Sequence, residues 1–133
     1  MKTYYQANLN LSKDFRGVDY TQPPTLYIGL STTPIYRDGT GVTEPSSSMG
    51  YTRVAVPTNT TSWSVATNGS LSINIDATFP EATNDWGTVT YVFLSDSATG
   101  GNIRYYEALA KSRIVQQNAT LMFRSGSLKF IDE

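Results

Sequence analysis

The sequence predicts an all-β protein: an antiparallel, jelly-roll-like β-sandwich of about seven or eight strands after a short N-terminal helix or arm. Two observations lead to this prediction. Stretches of alternating apolar and polar residues recur along the chain, separated by clusters of Gly, Pro, Asn and Ser. Only 16% of the 133 residues are charged, which fits a Ser-, Thr- and Asn-rich β surface better than a helical bundle. We expect a single domain, with an arm over residues 1–22 and the sandwich over residues 23–133.

The N-terminal segment fits two kinds of element. Apolar residues at helical spacing are Tyr4, Ala7, Leu11 and Phe15. Residues that alternate as in a strand are Tyr5, Ala7, Leu9 and Leu11. Thr3 is a good N-cap, so a short helix or ordered arm is favoured. Pro23 and Pro24 then end any helix.

Strands are predicted in order over residues 25–31, 51–57, 70–76, 88–95, 102–110, 119–125 and 127–132. The side chains expected to point inward from the first three strands are Leu26, Ile28, Leu30, Val54, Val56, Leu71, Ile73 and Ile75. A long loop from Thr32 to Gly50 separates the first two strands, with Ile35 and Tyr36 as its anchor. The polar connection over residues 58–69 is expected to cover a buried Trp63.

The segment FPEATNDWG, which begins at Phe79, precedes the most strongly β-forming run. Pro80 and Glu81 favour a helical turn, because Pro suits a first helical position and a carboxylate suits the positive end of the helix dipole. Trp86 is predicted to be an aromatic plug at the entrance to the strand, beside the conformationally free Gly87.

Residues 88–94 are β-forming on both faces, as in a central strand covered on both sides. Gly100 and Gly101 are expected to turn the chain with positive φ angles. A last hairpin, turned at Gly126, is predicted to bury three side chains, namely Phe123, Leu128 and Phe130.

Composition excludes most catalytic chemistry. The chain has no His and no Cys, which removes Ser–His–Asp and Cys–His catalysis and almost every zinc site. A formal net charge of −1 without a basic cluster gives no drive toward nucleic acid. No apolar run approaches the roughly 20 residues that span a bilayer, and the N-terminus lacks the apolar core of a signal peptide. We therefore expect no cofactor, no nucleic acid and no membrane, and the lack of Cys favours assembly in a reducing cytosol.

Paired carboxylates are the remaining route to catalysis. Asp38 and Glu44 share one loop, and Glu81 and Asp85 share another, whereas a glycosidase needs two carboxylates that flank a sugar. Turn and cap roles suit all four better. A calcium site at Asp38, Thr40 and Glu44 does not match the spacing of a calcium loop. The protein is predicted not to be an enzyme and to hold no metal.

Aromatic residues are the better candidates for function. Nine Tyr and two Trp are many for this length, and exposed aromatic rings supply contact area in binding surfaces. Trp63, Trp86 and Tyr91 are expected in the core. Residues of the arm and the long loop are predicted to contact another chain, namely Tyr4, Tyr5, Ile35 and Tyr36.

Ordered motifs carry a family resemblance. PPTLYIGLSTTPIYRDGTGVTEPSSSMGYTRVAV (Pro23–Val56), TFPEATNDWGTVTYVFLSDSATGGNIRYYEAL (Thr78–Leu109) and the closing FRSGSLKF follow one another in the order of a family that they resemble. That family comprises small virion proteins of tailed bacteriophages, often labelled tail-fibre or minor structural proteins. The resemblance covers about residues 23–131 and implies a virion structural protein without catalytic residues.

Three roles follow from this resemblance. Coiled-coil, β-helix and collagen-like repeats of a fibre shaft are missing, so the first expectation is a capsid decoration (cement) protein that bridges shell subunits. The alternative is a tail-fibre or tail-tip module that binds a host receptor or glycan, and the third is a glycan-degrading enzyme. The expected partners are the major capsid protein or tail proteins, with the chain as a dimer or trimer, assembled in the bacterial cytoplasm and located in the virion.

Overall fold

The computed structural model describes all 133 residues and contains one α-helix and eight β-strands. The helix is α1 (Tyr4–Arg16), and the strands are β1 (Thr25–Ser31), β2 (Val54–Pro57), β3 (Ser70–Ser72), β4 (Ala77–Thr78), β5 (Gly87–Ser95), β6 (Ile103–Val115), β7 (Met122–Phe123) and β8 (Lys129–Ile131). All strand pairs are antiparallel. The predicted all-β class with an N-terminal helix is confirmed.

Capping residues at both ends set the limits of α1. The Thr3 hydroxyl oxygen accepts a hydrogen bond from the backbone N–H of Gln6, as an N-cap residue does. Gly17 ends the helix with a φ of 67°, and the N–H of Val18 donates to the Ser12 carbonyl. The helical interpretation of this segment is therefore the correct one of the two.

The main sheet has the strand order β2-β1-β5-β6. β5 lies between β1 and β6, and both of its faces are buried over residues 92–95, as the sequence predicts, whereas Thr88 at its start is exposed. On one face a Cβ added to Gly29 would lie only 2.1 Å from Cζ of Phe93, its register partner on β5. Gly29 therefore makes room for the Phe93 ring, which packs with Ile35 and Tyr106 under the long loop.

The other face of the main sheet is covered by two short ribbons, β3-β8 and β4-β7. Seventeen buried residues from both layers form one core. Members contributed by the main sheet include Ile28, Leu30, Val56, Val92 and Leu94, and members from the ribbon side include Ile73, Phe79, Leu121, Phe123 and Phe130. This is the two-layer packing of a β-sandwich.

The predicted last hairpin is wrong. The turn exists, since the Ser127 N–H donates to the Arg124 carbonyl and Gly126 has a φ of 85°. The flanking strands diverge, however, and β7 pairs with β4 whereas β8 pairs with β3. Phe123, Leu128 and Phe130 are buried as predicted, but in the shared core.

Three further predictions need correction. No helical turn forms at Pro80, because the N–H groups of Phe79 and Ala82 donate to carbonyls of the segment before β7. The strand predicted over 102–110 continues to Val115, since residues after 110 pair with the start of β5. Trp63 is only half-buried.

Candidate functional site

A cavity of about 390 Å³ lies between the β3-β8 ribbon and one end of the main sheet, where β1 and β6 begin and β5 ends. We call it the Trp63 cavity. Its apolar lining comes from seven side chains, namely Leu26, Trp63, Ala66, Leu71, Leu94, Tyr105 and Phe130. Polar groups contributed to the lining include Gln22, Thr58, Ser70 and Asp132. A concave, mostly apolar surface with a few polar groups is the usual form of a ligand site.

The Trp63 indole is held in place by contacts on two sides. Its Nε1–H donates to the Pro57 carbonyl at 3.1 Å. Its ring meets the Phe130 ring edge-on, with centroids 6.2 Å apart. The backbone of Trp63 also bridges to Ile73. Because the ring is half-buried and fixed, it can offer one face to a ligand with little further loss of entropy.

Tyr105 projects into the cavity from β6, where it pairs with Leu94 of β5. Burial raises the pKa of the Tyr105 phenol to about 12, with a contribution from the Asp132 carboxylate. The phenol therefore keeps its proton at neutral pH and can donate a hydrogen bond.

Asp132 is the one carboxylate in the lining of the Trp63 cavity. It forms an ion pair with Lys2, with Oδ1 and Nζ 2.8 Å apart, and its side chain is 53% exposed. Thr58 is occupied by a hydrogen bond from its hydroxyl to the Pro23 carbonyl. A single, already paired carboxylate suits hydrogen bonding to a ligand and does not provide the pair that sugar hydrolysis requires.

Glu44 belongs to a buried polar network elsewhere. Its carboxylate accepts hydrogen bonds from the Tyr51 hydroxyl at 2.6 Å and from Nε of Arg53 at 2.9 Å. The Tyr51 oxygen accepts in turn from the Leu30 N–H at 3.0 Å, and Arg53 also donates from Nη1 to the Gly100 carbonyl. This network ties the long loop to β1 and to the β5–β6 turn.

Of the other acidic residues considered from the sequence, Asp38 and Asp85 accept hydrogen bonds, whereas Glu81 is exposed and forms no ion pair. Asp38 accepts hydrogen bonds from the side chain and the backbone N–H of Thr40, which lower its pKa. Asp85 accepts from the Gln117 N–H at 2.7 Å. No group of three or more acidic side chains is positioned to hold a metal ion. These contacts are those of turns and connections.

The predicted contact residues divide into two groups. Tyr4, Tyr5 and Tyr36 are exposed, at 56%, 43% and 60% respectively. Two of these rings lie under guanidinium groups, Tyr4 under Arg37 and Tyr5 under Arg104. Ile35 is instead buried, packed with Phe93 and Tyr106, so its side chain anchors the long loop and does not face a partner.

The residues predicted to be structural are placed as follows. Trp86 is buried, its Nε1–H donates to the Met49 carbonyl at 2.8 Å, and its ring meets Tyr51 edge-on. Gly87, Gly100 and Gly101 have φ angles of 86°, 59° and 71°, a region that favours glycine.

Sequence reasoning missed the Trp63 cavity. It placed Trp63 in the core and assigned no binding role to Tyr105 or Phe130. The three rings that line the cavity come from the connection after β2, from β6 and from β8. No local pattern in the sequence could have brought them together.

The comparisons with known proteins give one family. No curated protein matches the chain. The 13-residue helix is not long and apolar enough to cross a membrane. The sequence profile of the family described as Podophage GP4 fiber I protein gp80 matches residues 1–131, including the N-terminal arm that the motifs left out. The resemblance to phage virion proteins is thus confirmed, and the chain belongs to the family of Podophage GP4 fiber I protein gp80, a family of phage virion structural proteins.

Proposed function

We propose that this protein is a non-enzymatic fibre module that binds carbohydrate on the host surface through the Trp63 cavity. The observation that carries the proposal is the cavity itself, in which the rings of Trp63, Tyr105 and Phe130 meet with Asp132. The family description refers to a fibre protein, which supports this alternative over capsid decoration, the first expectation from the sequence. We also propose that the protein associates with other virion proteins and that this assembly takes place in the host cytoplasm.

The chemistry of the cavity suits a sugar ring. A pyranose has an apolar face of C–H groups and a rim of hydroxyls. The Trp63 ring offers an aromatic face for the C–H groups, while Asp132, Ser70 and Gln22 supply hydrogen-bonding groups for the hydroxyls. Asp132 is paired with Lys2 and the Ser70 hydroxyl donates to the Thr67 carbonyl, and both side chains keep oxygen lone pairs that can accept from sugar hydroxyls.

Binding without hydrolysis follows from the charges. Glycosidases use two carboxyl groups on opposite sides of the scissile bond. The lining of the Trp63 cavity contains Asp132 alone, and this carboxylate is neutralised by Lys2. A bound saccharide is therefore released unchanged.

The test is retention of the full-length protein on an array of purified bacterial surface polysaccharides and their oligosaccharides. We expect at least one saccharide on the array to bind the wild-type protein. Trp63→Ala should bind the same saccharide at least tenfold more weakly, a loss of about 1.4 kcal/mol in binding free energy. Val65→Ala is the matched control, since Val65 lies in the same connection, is 87% exposed and does not line the cavity.

A second variant protects the test against a folding defect in Trp63→Ala. Ala66→Trp adds a ring at an exposed lining position and removes no core side chain, so it should block the cavity in a folded protein. The proposal would be overturned if both Trp63→Ala and Ala66→Trp still bound the saccharide, or if no saccharide on the array bound the wild-type protein.

A further inference from the structure

A tight turn at the rim of the Trp63 cavity contains the one Asn-Gly sequence of the chain, Asn68-Gly69. The φ angles of the two residues are 54° and 75°. Two positive φ values in succession are those of a type I′ turn, which Asn-Gly favours. Two backbone hydrogen bonds between Thr67 and Ser70, of 2.8 and 3.1 Å, close the turn. We call residues 67–70 the Asn68 turn.

The groups of the Asn68 turn that could react with each other are free. The one side-chain hydrogen bond within the turn runs from the Ser70 hydroxyl to the Thr67 carbonyl, so the Asn68 amide is not engaged. The Gly69 N–H donates to no acceptor. A Cβ added to Gly69 would have only the Asp132 carbonyl oxygen nearby, at 3.9 Å, so the space around this residue is open. Residues 65–69 are all exposed, and the turn can therefore open locally without disturbing the core.

We propose that Asn68 is a site of spontaneous deamidation. Hydroxide removes the proton of the Gly69 N–H, and the nitrogen attacks Cγ of Asn68. A bond forms between this nitrogen and Cγ, the bond from Cγ to Nδ2 breaks, and Nδ2 takes a proton from water and leaves as ammonia. The attack is intramolecular and closes a five-membered succinimide ring. Water then opens the ring at either carbonyl carbon, which gives aspartate or isoaspartate.

Asn118 offers a comparison within the same chain. It is the other non-Gly residue with a positive φ, at 70°. The residue after it is Ala119, whose N–H donates to the Gln116 carbonyl at 3.0 Å. Both this hydrogen bond and the Ala119 methyl group hinder attack by the nitrogen. The same backbone conformation thus occurs once with a free glycine nitrogen and once with a blocked one, and only Asn68 should react.

The position of the Asn68 turn connects this reaction to the Trp63 cavity. Gly69 and Ser70 both line the cavity, and the Gly69 carbonyl accepts a hydrogen bond from the Asp132 N–H at 2.7 Å. Isoaspartate lengthens the main chain by one carbon, which the closing hydrogen bonds of the turn cannot accommodate unchanged. Aspartate instead adds a negative charge at the rim. A released virion cannot replace its proteins, so either change accumulates with age. Loss of saccharide binding with age rests on the proposed function, whereas the deamidation itself does not.

The first experiment is peptide mapping of the full-length protein by mass spectrometry, after storage for several weeks at pH 6 and at pH 8. Chymotrypsin cleaves after aromatic and Leu residues, so Trp63 and Leu71 bound one peptide with Asn68 as its only Asn. Leu109 and Leu121 bound another, in which Asn118 is the only Asn. Fresh protein that is digested in the same way corrects for deamidation during digestion.

We expect the Asn68 peptide to gain about one dalton and to divide into aspartate and isoaspartate forms. The conversion should be faster at pH 8, because hydroxide starts the reaction. The Asn118 peptide should keep its mass. An Asn68 peptide that is unchanged at both pH values, or equal conversion of Asn68 and Asn118, would overturn the proposal.

Asn68→Gly is the matched variant, because Gly-Gly also favours a type I′ turn and has no side-chain amide. Stored wild-type protein should melt at a lower temperature than fresh protein, whereas stored Asn68→Gly should melt like its fresh form. Equal losses in the two proteins would overturn the connection between deamidation and the turn. On the saccharide array, stored wild type should bind at least twofold more weakly than stored Asn68→Gly. If no saccharide binds fresh wild type, the proposed function fails, and the mass measurement still decides whether Asn68 is modified.

Discussion

Glu44 shows how a single residue can hold three elements together. The Arg53 side chain is 6% exposed and that of Glu44 is 26% exposed, so this ion pair is shielded from water much more than a surface pair. The Tyr51 hydroxyl connects the pair to the backbone of β1. Burial and the hydrogen bond that the Tyr51 hydroxyl donates to Glu44 both raise the pKa of Tyr51, burial being the larger cause, so the phenol remains a donor. A residue that could pass for half of a catalytic carboxylate pair thus has a structural role.

Glu44→Ala should lower the free energy of unfolding by about 3 kcal/mol, because it leaves the buried Arg53 charge without its carboxylate. The measurement is urea unfolding at pH 7 followed by fluorescence. Glu81→Ala is the control, since Glu81 is exposed and makes no ion pair, and it should change the free energy by less than about 0.5 kcal/mol. Equal effects of the two substitutions would contradict the role of the network.

At the scale of elements, the N-terminal arm has two parts, an extended stretch before Tyr4 and the helix α1. Residues before α1 run beside β6: the Thr3 N–H donates to the Arg104 carbonyl, and the Tyr106 N–H donates to the Met1 carbonyl. The terminal ammonium group also pairs with Glu107. The arm therefore covers an edge of the main sheet, which protects that edge from pairing with other chains. The helix that follows is held against β6 by the hydrogen bond that Arg104 donates to Gln6.

Deletion of residues 1–15 should leave the sandwich folded, because none of the seventeen main core residues lies in this segment. The melting temperature should fall by about 5–10 °C, owing to the lost edge hydrogen bonds and the loss of the Gln6 partner of Arg104. Circular dichroism, recorded as a spectrum and as a thermal melt, measures both properties. Disappearance of the β-sheet signal would show that the arm is required for folding.

The elements that sequence patterns predicted well are those whose alternation reflects burial. β1 was predicted at its exact limits, because Ile28 and Leu30 alternate with Gly29 and face the core. The second half of β6 was missed, because its residues are mostly exposed and show no alternation. β7 and β8 were assigned to one hairpin because a turn joins them. Their true partners lie much earlier in the chain, since β7 pairs with β4 and β8 pairs with β3.

The charge of the whole molecule predicts how its stability depends on pH. The chain has no His, so no side chain with an ordinary pKa titrates between pH 5 and 8. The response to acid should come from carboxylates with lowered pKa values, of which Asp96 is the most enclosed. Burial alone would raise the pKa of Asp96, but hydrogen bonds from the backbone and side chain of Asn102 and from Arg104 outweigh it and lower the pKa.

Because the pKa of Asp96 is lowered in the folded state, its carboxylate stabilises the fold at neutral pH and not in acid. A carboxyl group with a lowered pKa in the folded state stabilises the fold above its unfolded pKa of about 3.9, and this stabilisation is lost as the pH falls through the folded value. The free energy of unfolding should therefore be nearly constant from pH 5 to 8 and fall below about pH 4. Urea unfolding at intervals from pH 2.5 to 8 measures this profile.

Asp96→Asn tests whether this carboxylate is responsible. The substitution should lower the free energy of unfolding at pH 7 and flatten its decrease in acid, so that the variant and wild-type curves approach each other as the pH falls through the lowered pKa of Asp96. Asp19→Asn is the control, because the Asp19 side chain is 84% exposed and pairs only with Lys13, at 3.6 Å. It should leave the shape of the profile unchanged. Parallel curves for Asp96→Asn and the wild type would assign the loss in acid to other carboxylates, because removing Asp96 would not have changed the number of protons taken up on unfolding.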